Sequence, residues 1–514
     1  MIKNILLTFC LILCVSIIMA QPSIEWQQTF GGSKYDEARS IQQTHDGGSI
    51  VAGIAGSNDG DVGPTNGYDD VWVLKLDSLG AVQWKKLYGG SHLDWAFAIQ
   101  ITTDGGFVVA GFTKSNDGDV SGNHGDYDAW VLKLDSMGGI QWQKCLGGSG
   151  WEEAWDIQQT TDGGYIVAGR SGTPDGDVTV NHGSLDYWVV KLSSTGQIEW
   201  QKSLGGSLLD LAYSVSQTMD GGYIVAGETS SPDGDVSNLH GGFDYWVVKL
   251  NFEGKILWQK TLGGTGHDRA NDIHQTRDGG YIVVGQSRSS GGDVTGSHGG
   301  YDFWVVKLNE TGDIEWQKAL GGTAEDYGSS IQQTNDDGFV VIGQAQSNNG
   351  DVLNNDGGAD LWVVKLMETG EIQWQKTLGG SMAEHGFSIQ QTPDEGYILA
   401  GESWSNNGDV SGVQGKTDFW VVKLSPESSS TIETHSGILK LHPNPADQFI
   451  SLQTTSLDLT LRVRITDLLG RELSRQTIQN GGNANIASLP SGIYLLTATT
   501  SSGKLFSGKF RKQE

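Results

Sequence analysis

Residues Ile256–Gly285 read I-L-W-Q-K-T-L-G-G-T-G-H-D-R-A-N-D-I-H-Q-T-R-D-G-G-Y-I-V-V-G, and after a loop residues 301–308 read Y-D-F-W-V-V-K-L. Four short runs stand out: Ile256–Lys260, Asp272–Gln275, Tyr281–Gly285 and Phe303–Leu308. Most are rich in aromatic or β-branched residues, and Gly, Asp or Asn bounds each one. That is the pattern of strands between turns; nothing in the stretch sustains a helical period. Asp278-Gly279-Gly280 marks a hairpin between the second and third runs. Glu310-Thr311-Gly312 marks another, between the fourth run and the next copy's first. The unit is therefore four antiparallel strands.

The unit recurs. Trp26, Trp84, Trp142, Trp200, Trp258, Trp316 and Trp374 are each 58 residues apart, and Trp72, Trp130, Trp188, Trp246, Trp304, Trp362 and Trp420 keep the same step. A fixed period of this length means one supersecondary unit copied in series. The array opens on Ile24–Gln28, a lone strand of the W-Q-K type, and closes on Phe419–Leu424, a W-V-V-K-L strand; the position of an eighth tryptophan is Ile432. The sequence thus predicts an all-β chain, with a seven-bladed β-propeller over residues 24–424. The N-terminal strand would complete the blade begun by Ser388–Thr392, Gly396–Gly401 and Phe419–Leu424, leaving no free sheet edge there. The tryptophans are predicted to pack between blades. A right-handed solenoid is the alternative, with shorter coils and a need for caps.

The pattern G-x-I-x-W-Q-K-x-L-G-G-S-x-x-D-x-A, then D-G-G-Y-I-V-A-G, then D-x-W-V-V-K-L, resembles the bacterial SBBP-type β-propeller repeat. The resemblance covers Ile24 to about Leu424. It implies the fold and is silent on activity, because propellers host many functions.

Glycine is abundant at 75 residues and proline scarce at 9, and the glycines hold fixed places in the repeat. They are turn residues, not a sign of disorder. A formal net charge of −28 argues against nucleic acid and anionic membrane surfaces as partners. It suits an exported protein that meets divalent cations. Residues 1–20 read as a signal peptide: Lys3 precedes an apolar stretch from Ile5 to Ile18, and Ala20 offers a cleavage point. That stretch is short for a membrane span, and no later segment is long and apolar enough for a transmembrane segment. Cleavage would leave Cys145 as the one cysteine, read here as a small buried apolar residue.

Composition changes after Leu424. Residues 425–437, rich in Ser, Thr and Glu, read as a linker. Residues 438–514 carry runs at Ile438–Leu441, Phe449–Gln453, Leu461–Thr466, Ile493–Thr499 and Leu505–Phe510, which suit a small antiparallel β-sandwich. The motifs there are His442-Pro443-Asn444-Pro445-Ala446, Asp467-Leu468-Leu469-Gly470-Arg471 and Leu489-Pro490-Ser491-Gly492-Ile493-Tyr494, with a basic end at Lys509, Arg511 and Lys512. Their order and spacing resemble the C-terminal sorting domain of the type IX secretion system. The resemblance implies a Gram-negative source, the type IX machinery as partner, and a secreted or outer cell-surface location. A carbohydrate-binding or immunoglobulin-like sandwich is the other reading.

Two connections of each copy are expected on one face: the long loop before W-V-V-K-L and the Leu-Gly-Gly segment. That rim is acidic. Gly-Asp-Val recurs at Asp61, Asp119, Asp177, Asp235, Asp293, Asp351 and Asp409, which are the candidate metal ligands, with calcium the one cofactor suggested. The other reading has these aspartates capping turns, and the D-x-D-x-D-G spacing of a calcium loop is missing. A second carboxylate precedes W-V-V-K-L at Asp70, Asp128, Asp186, Asp244, Asp302, Asp360 and Asp418. A third position holds Asp36, Asp94, Glu152, Asp210, Asp268, Asp326 and Glu384. His124, His182, His240 and His298 share one register on separate copies, which favours loop bracing over zinc. Trp95, Trp151, Trp155 and Trp404 stand outside the repeat register and are the candidate ligand rim; extra packing is their other reading.

No nucleophile elbow, phosphate-binding glycine loop or H-E-x-x-H motif is present. The expected function is a non-enzymatic, exported binding or adhesion module for glycan or protein. A polysaccharide hydrolase or lyase, drawing catalytic groups from several blades, is the alternative. A purely structural surface protein is a third.

Overall fold

The computed structural model describes residues 21–355, 357–427, 440–442, 446–453, 460–466, 472–500 and 505–513. The signal peptide expected at 1–20, most of the linker and motif residues 443–445 and 467–471 lie outside the described residues. The chain divides into two compact units, one of them Gln21–Glu427 and the other containing Ser428–Glu514. Among the described residues every regular element is a strand.

In the larger unit the described strands form seven four-stranded antiparallel sheets. The sheet nearest the quoted stretch runs Asp268–Gln275, Tyr281–Ser287, Asp302–Leu308 and Ile314–Leu320, in that order across the sheet. Each sheet thus borrows its outermost strand from the next sequence copy. The strands are longer than the runs read from sequence. The first begins at Asp268 and not Asp272, because a bulge between Ala270 and Asp272 interrupts the two-residue alternation that marks a strand.

The first strands of neighbouring sheets touch one another all the way round, and together they line an open axial cavity. The architecture is propeller-like. Ile24–Phe30 pairs antiparallel with Asp418–Leu424, outside Tyr397–Ser403 and Glu384–Gln391. The first strand of the array therefore completes the sheet made by its last three.

Both tryptophan sets lie between neighbouring sheets. The third-strand indoles are fully buried. Trp246 meets Tyr187 of the preceding sheet at 4.5 Å between ring centroids, and Trp72 meets Phe419 across the closure at 4.7 Å. The outermost-strand indoles face the next sheet, as Trp142 does against Tyr165 at 5.7 Å. Burying rings of this size stabilises by a few kcal/mol each, at about 25 cal/mol per Å². The indole N–H is satisfied within the sheet: Trp246 Nε1 donates to Gln259 Oε1 and Trp420 Nε1 to Gln27 Oε1, both at 2.9 Å. Where Lys85 replaces that glutamine, Trp72 Nε1 has no partner among the described residues.

The third-strand lysines anchor the opposite end. Buried Lys249 donates to Asp220 Oδ2 at 2.9 Å and to the Leu250 carbonyl at 3.1 Å. Partial burial would raise Asp220, but Thr218 and Lys249 outweigh it and hold the carboxyl at about 2.

In the smaller unit Lys440–His442, Phe449–Gln453 and Asn483–Asn485 form one sheet. Glu472–Gln479, Thr460–Thr466, Gly492–Thr500 and Leu505–Lys512 form the other. Ile450 and Leu452 of the first share a core with Val463, Ile465 and Leu496 of the second. The strand Glu472–Gln479 was not among the runs read from sequence. It is an edge strand of mostly polar residues, so no apolar alternation announces it.

Candidate functional site

The bulge in each inner strand does more than bend it. Arg39, Phe97, Trp155, Tyr213, Asn271, Ser329 and Phe387 occupy equivalent bulge positions, and all of them line the axial cavity of about 460 Å³. The repeat holds its core residues nearly constant but varies this position from copy to copy. The cavity wall therefore differs from copy to copy at this one register.

Three of the four aromatic members, Phe97, Trp155 and Tyr213, form a continuous arc over the second, third and fourth sheets. Phe97 stacks on Trp155 at 4.1 Å with the planes 4° apart, and Trp155 meets the edge of Tyr213 at 5.1 Å. Trp95 meets Phe97 at 6.4 Å and Phe112 at 5.2 Å, and Phe112 leads on to Tyr127 at 5.3 Å. Tyr127 meets Trp151 at 5.6 Å, and Trp151 is 43 % exposed. The structure thus brings Trp95, Trp151 and Trp155 into one cluster. Trp404 stands apart, just after the strand Tyr397–Ser403 of the seventh sheet, against His385 at 4.9 Å.

Charged groups are set among the rings in compensated pairs. Arg170 pairs with Glu153 at 2.8 Å and lies over Trp151 at 4.5 Å. Glu153 also accepts the indole N–H groups of Trp151 and Trp155, at 2.7 and 2.8 Å. Arg269 lies over Tyr213 at 3.9 Å, and the Tyr213 hydroxyl donates to Glu228 at 2.9 Å. His267 Nε2 stands 2.6 Å from Glu228, and Arg39 pairs with Glu37. Such a surface offers flat apolar faces beside fixed hydrogen-bonding groups, the combination by which a site grips a ligand with both apolar and hydroxyl faces.

The same cavity is also lined by Asp156, Ser214, Asp272 and His274. Ser214 Oγ stands 3.3 Å from Asp156 Oδ2 and 3.0 Å from Asp272 Oδ1. His274 Nε2 is 3.2 Å from Asp272 Oδ1. Burial, reinforced by the Asp272 charge, pushes Asp156 up to about 6. Burial works against charge on His274, but the charge and hydrogen bond of Asp272 outweigh it and carry the imidazole to about 9. His274 therefore holds its proton more tightly in the folded chain than in the unfolded one. Its stabilisation is complete below about pH 6.5 and disappears as pH rises through about 9. His274→Gln, which restores the residue of most other copies, should flatten urea-derived stability over that window; an unchanged slope would show that the Asp272 pair carries no pH dependence.

The Gly-Asp-Val aspartates brace turns. Asp119, Asp177, Asp235, Asp293, Asp351 and Asp409 each accept the amide of the first glycine of the preceding Gly-Gly pair, at 3.2 to 3.4 Å. Asp61 instead accepts from Gln414 Nε2 at 2.7 Å. Among the described residues no group of three or more His, Cys, Asp and Glu side chains stands close enough to share a metal ion. His124, His182 and His240 each place Nδ1 2.7 to 3.1 Å from the aspartate four residues on, a loop brace. Asp70 and its equivalents are buried at the heads of the third strands. Burial, with the charges of Asp94 and Asp119 behind it, pushes Asp70 up to about 6. Cys145 is buried, and burial raises its thiol to about 12, so it is inert.

Reading the sequence alone missed Phe97, Tyr213, Glu153, Arg170, Glu228 and Arg269 as members of the site. The available signal was departure from the repeat at one register, and the bulge hid which side of the strand that register faces.

Residues 440–510 match the secretion system C-terminal sorting domain. The chain is thus a type IX secretion cargo, delivered to the cell surface or beyond. Regulatory protein FlaEY of Caulobacter vibrioides is 24 % identical over 370 residues, covering 64 % of this chain. The chain spans about 38 % of the length of that curated relative. Among solved structures, the extracellular domain of a protein named as a hybrid two component system, from B. thetaiotaomicron, is similar with a TM-score of 0.43 at 12 % identity. That likeness covers 96 % of this chain and 60 % of the other. The Neurospora crassa Pan2 WD40 domain is similar with a TM-score of 0.44 at 10 % identity, covering 77 % of this chain and 95 % of that one.

Proposed function

We propose that the chain is an exported seven-bladed β-propeller, of the SBBP repeat type, that binds glycan or protein at the mouth of its axial cavity without catalysing a reaction. One observation carries this reading. The residues that break the repeat, above all Phe97, Trp155 and Tyr213, gather on one cavity wall with charged partners fixed between them. A solenoid stacks its copies in a line and would not gather equivalent positions of separate copies round one cavity. Export by the sorting domain places this surface where external glycans and proteins are met.

Trp155→Ala removes the ring that links Phe97 to Tyr213 and should weaken binding about 10- to 30-fold, the effect of a central aromatic anchor. Glycan arrays and pull-downs with the purified larger unit, with titration calorimetry on each hit, measure it. An equal affinity in the variant would move the site elsewhere, and a measurable turnover on a polysaccharide would end the non-enzymatic reading.

One observation favours the hydrolase alternative. Asp156 and Asp272 share a cavity wall with their proton affinities driven apart, the arrangement expected of an acid and its partner carboxylate. Both, however, do the work done by serines in equivalent positions. Asp156 accepts the Val215 amide at 2.8 Å and Asp272 the Ile331 amide at 2.9 Å, as Ser388 accepts the Ile41 amide at 3.3 Å. Reducing-end release that is lost in Asp156→Asn would reverse this preference.

A further inference from the structure

The junctions between neighbouring sheets carry a feature that the binding surface does not use. At the first junction, Asp70 heads the third strand of one sheet and Asp94 heads the inner strand of the next, and both are fully buried. A Cβ on Gly89 between them would stand 2.5 Å from Asp70 Oδ1 and 2.6 Å from Asp94 Oδ2, so the two carboxylates close on one point that only glycine leaves open. Asp94 is engaged by hydrogen bonds from the Gly90 amide at 2.7 Å and Ser115 Oγ at 2.8 Å. Asp70 Oδ2 accepts the Asn66 amide at 2.9 Å, but Asp70 Oδ1 accepts nothing from any described residue.

The same arrangement returns around the ring. Asp128, Asp186, Asp244 and Asp418 each bury an Oδ1 without a hydrogen-bond donor among the described residues. Asp302 Oδ1 likewise accepts no hydrogen bond from a described residue, with His298 Nδ1 at 3.8 Å. At the sixth junction Asp360 and Glu384 flank Gly379 in the same manner. A cavity of about 160 Å³ opens there, lined by Asp360, Gly379 and the Gly-Asp-Val residue Asp409 among others.

A buried carboxylate oxygen without a donor is costly, and a second carboxylate at the same point adds repulsion. The chain repeats the pairing of two acids at one glycine at every junction where one sheet meets the next. A cation removes both costs at once. The donors offered are hard oxygens with no sulfur, which suits calcium and not zinc or copper. Because no three acidic or imidazole side chains converge among the described residues, main-chain carbonyls and water would complete the shell, as in weak extracellular calcium sites.

We infer that the junctions between neighbouring sheets are calcium sites, each built on the third-strand aspartate of one sheet and the inner-strand acid of the next. There would be up to seven per chain, and the Gly-Asp-Val aspartate stands behind each pair. The ions then act as rivets between sheets, and their binding adds directly to the stability of the ring.

The test uses the full chain, stripped with chelator and titrated with calcium chloride at neutral pH. Melting temperature should rise by several degrees into the millimolar range. Equilibrium dialysis with elemental analysis should count several ions per chain, approaching seven. Asp244→Asn keeps the shape of its site and should lower the count by one; Glu152→Gln serves at a different junction if that variant does not fold. A melting temperature indifferent to calcium, or a count unchanged in either folded variant, would overturn the proposal, and the wild-type titration decides the first point without any variant.

Discussion

Deleting Ile24–Phe30 should cost the chain most of its thermal stability or cause it to aggregate. The deletion strips the main-chain partner from Asp418–Leu424 and opens the one sheet that joins the two ends of the array. It removes Trp26, whose indole reaches the Ser78 carbonyl of the first sheet at 3.3 Å. It also removes the Gln27 acceptor and so leaves the buried Trp420 N–H unpaired. The deletion also takes Phe30, the buried aromatic of the strand; loss of one buried large aromatic costs about 3–5 kcal/mol, and an orphaned buried donor adds about 1–3 kcal/mol. The exposed strand edge adds a template for aggregation. A circular permutant that carries the same strand after Leu424, through a short linker, should recover the melting temperature. Calorimetry on the three chains decides the matter: an unchanged melting curve in the deletion would mean that closure contributes nothing.

Truncation after Glu427 should abolish export and leave the propeller-like unit intact. The matched sorting region at 440–510 is removed whole, while Gln21–Glu427 is compact by itself and its last sheet is completed from the N-terminal side. In a host with type IX secretion, immunoblots should find the full chain outside the cell and the truncated chain only within the envelope. Purified, the truncated chain should melt within a few degrees of the larger unit in the intact protein. Truncated protein in the medium would show that the export information lies elsewhere.

The two experiments separate what different parts of the chain do. One probes a contact between residues some 390 positions apart, as Trp420 and Gln27 are. The other probes a segment that the first unit does not need in order to close its sheets.

Much of the architecture was legible because the repeat is internal. Seven tryptophans on one interval report an equivalent environment seven times over, so a single reading of Ile256–Leu308 applies to every copy. The apolar residues at fixed registers, the glycine turns and the lone W-Q-K strand at the start are local features, and local features survive in a one-dimensional string. The bond of buried Lys249 to Asp220 and the indole bond of Trp246 to Gln259 follow the same register and repeat with few exceptions.

Only the tertiary structure decided which side chains meet. Asp70 and Asp94 are separated by two strands and two turns in sequence, yet they close on one glycine because neighbouring sheets meet there. Phe97, Trp155 and Tyr213 come from three copies and form one surface because their bulges turn all three toward a common axis. A bulge reverses the inward and outward alternation by one residue, so the sequence pattern at that position points the wrong way. Periodicity specifies what each copy builds; the ring and the bulge specify what the copies present to one another and to a ligand.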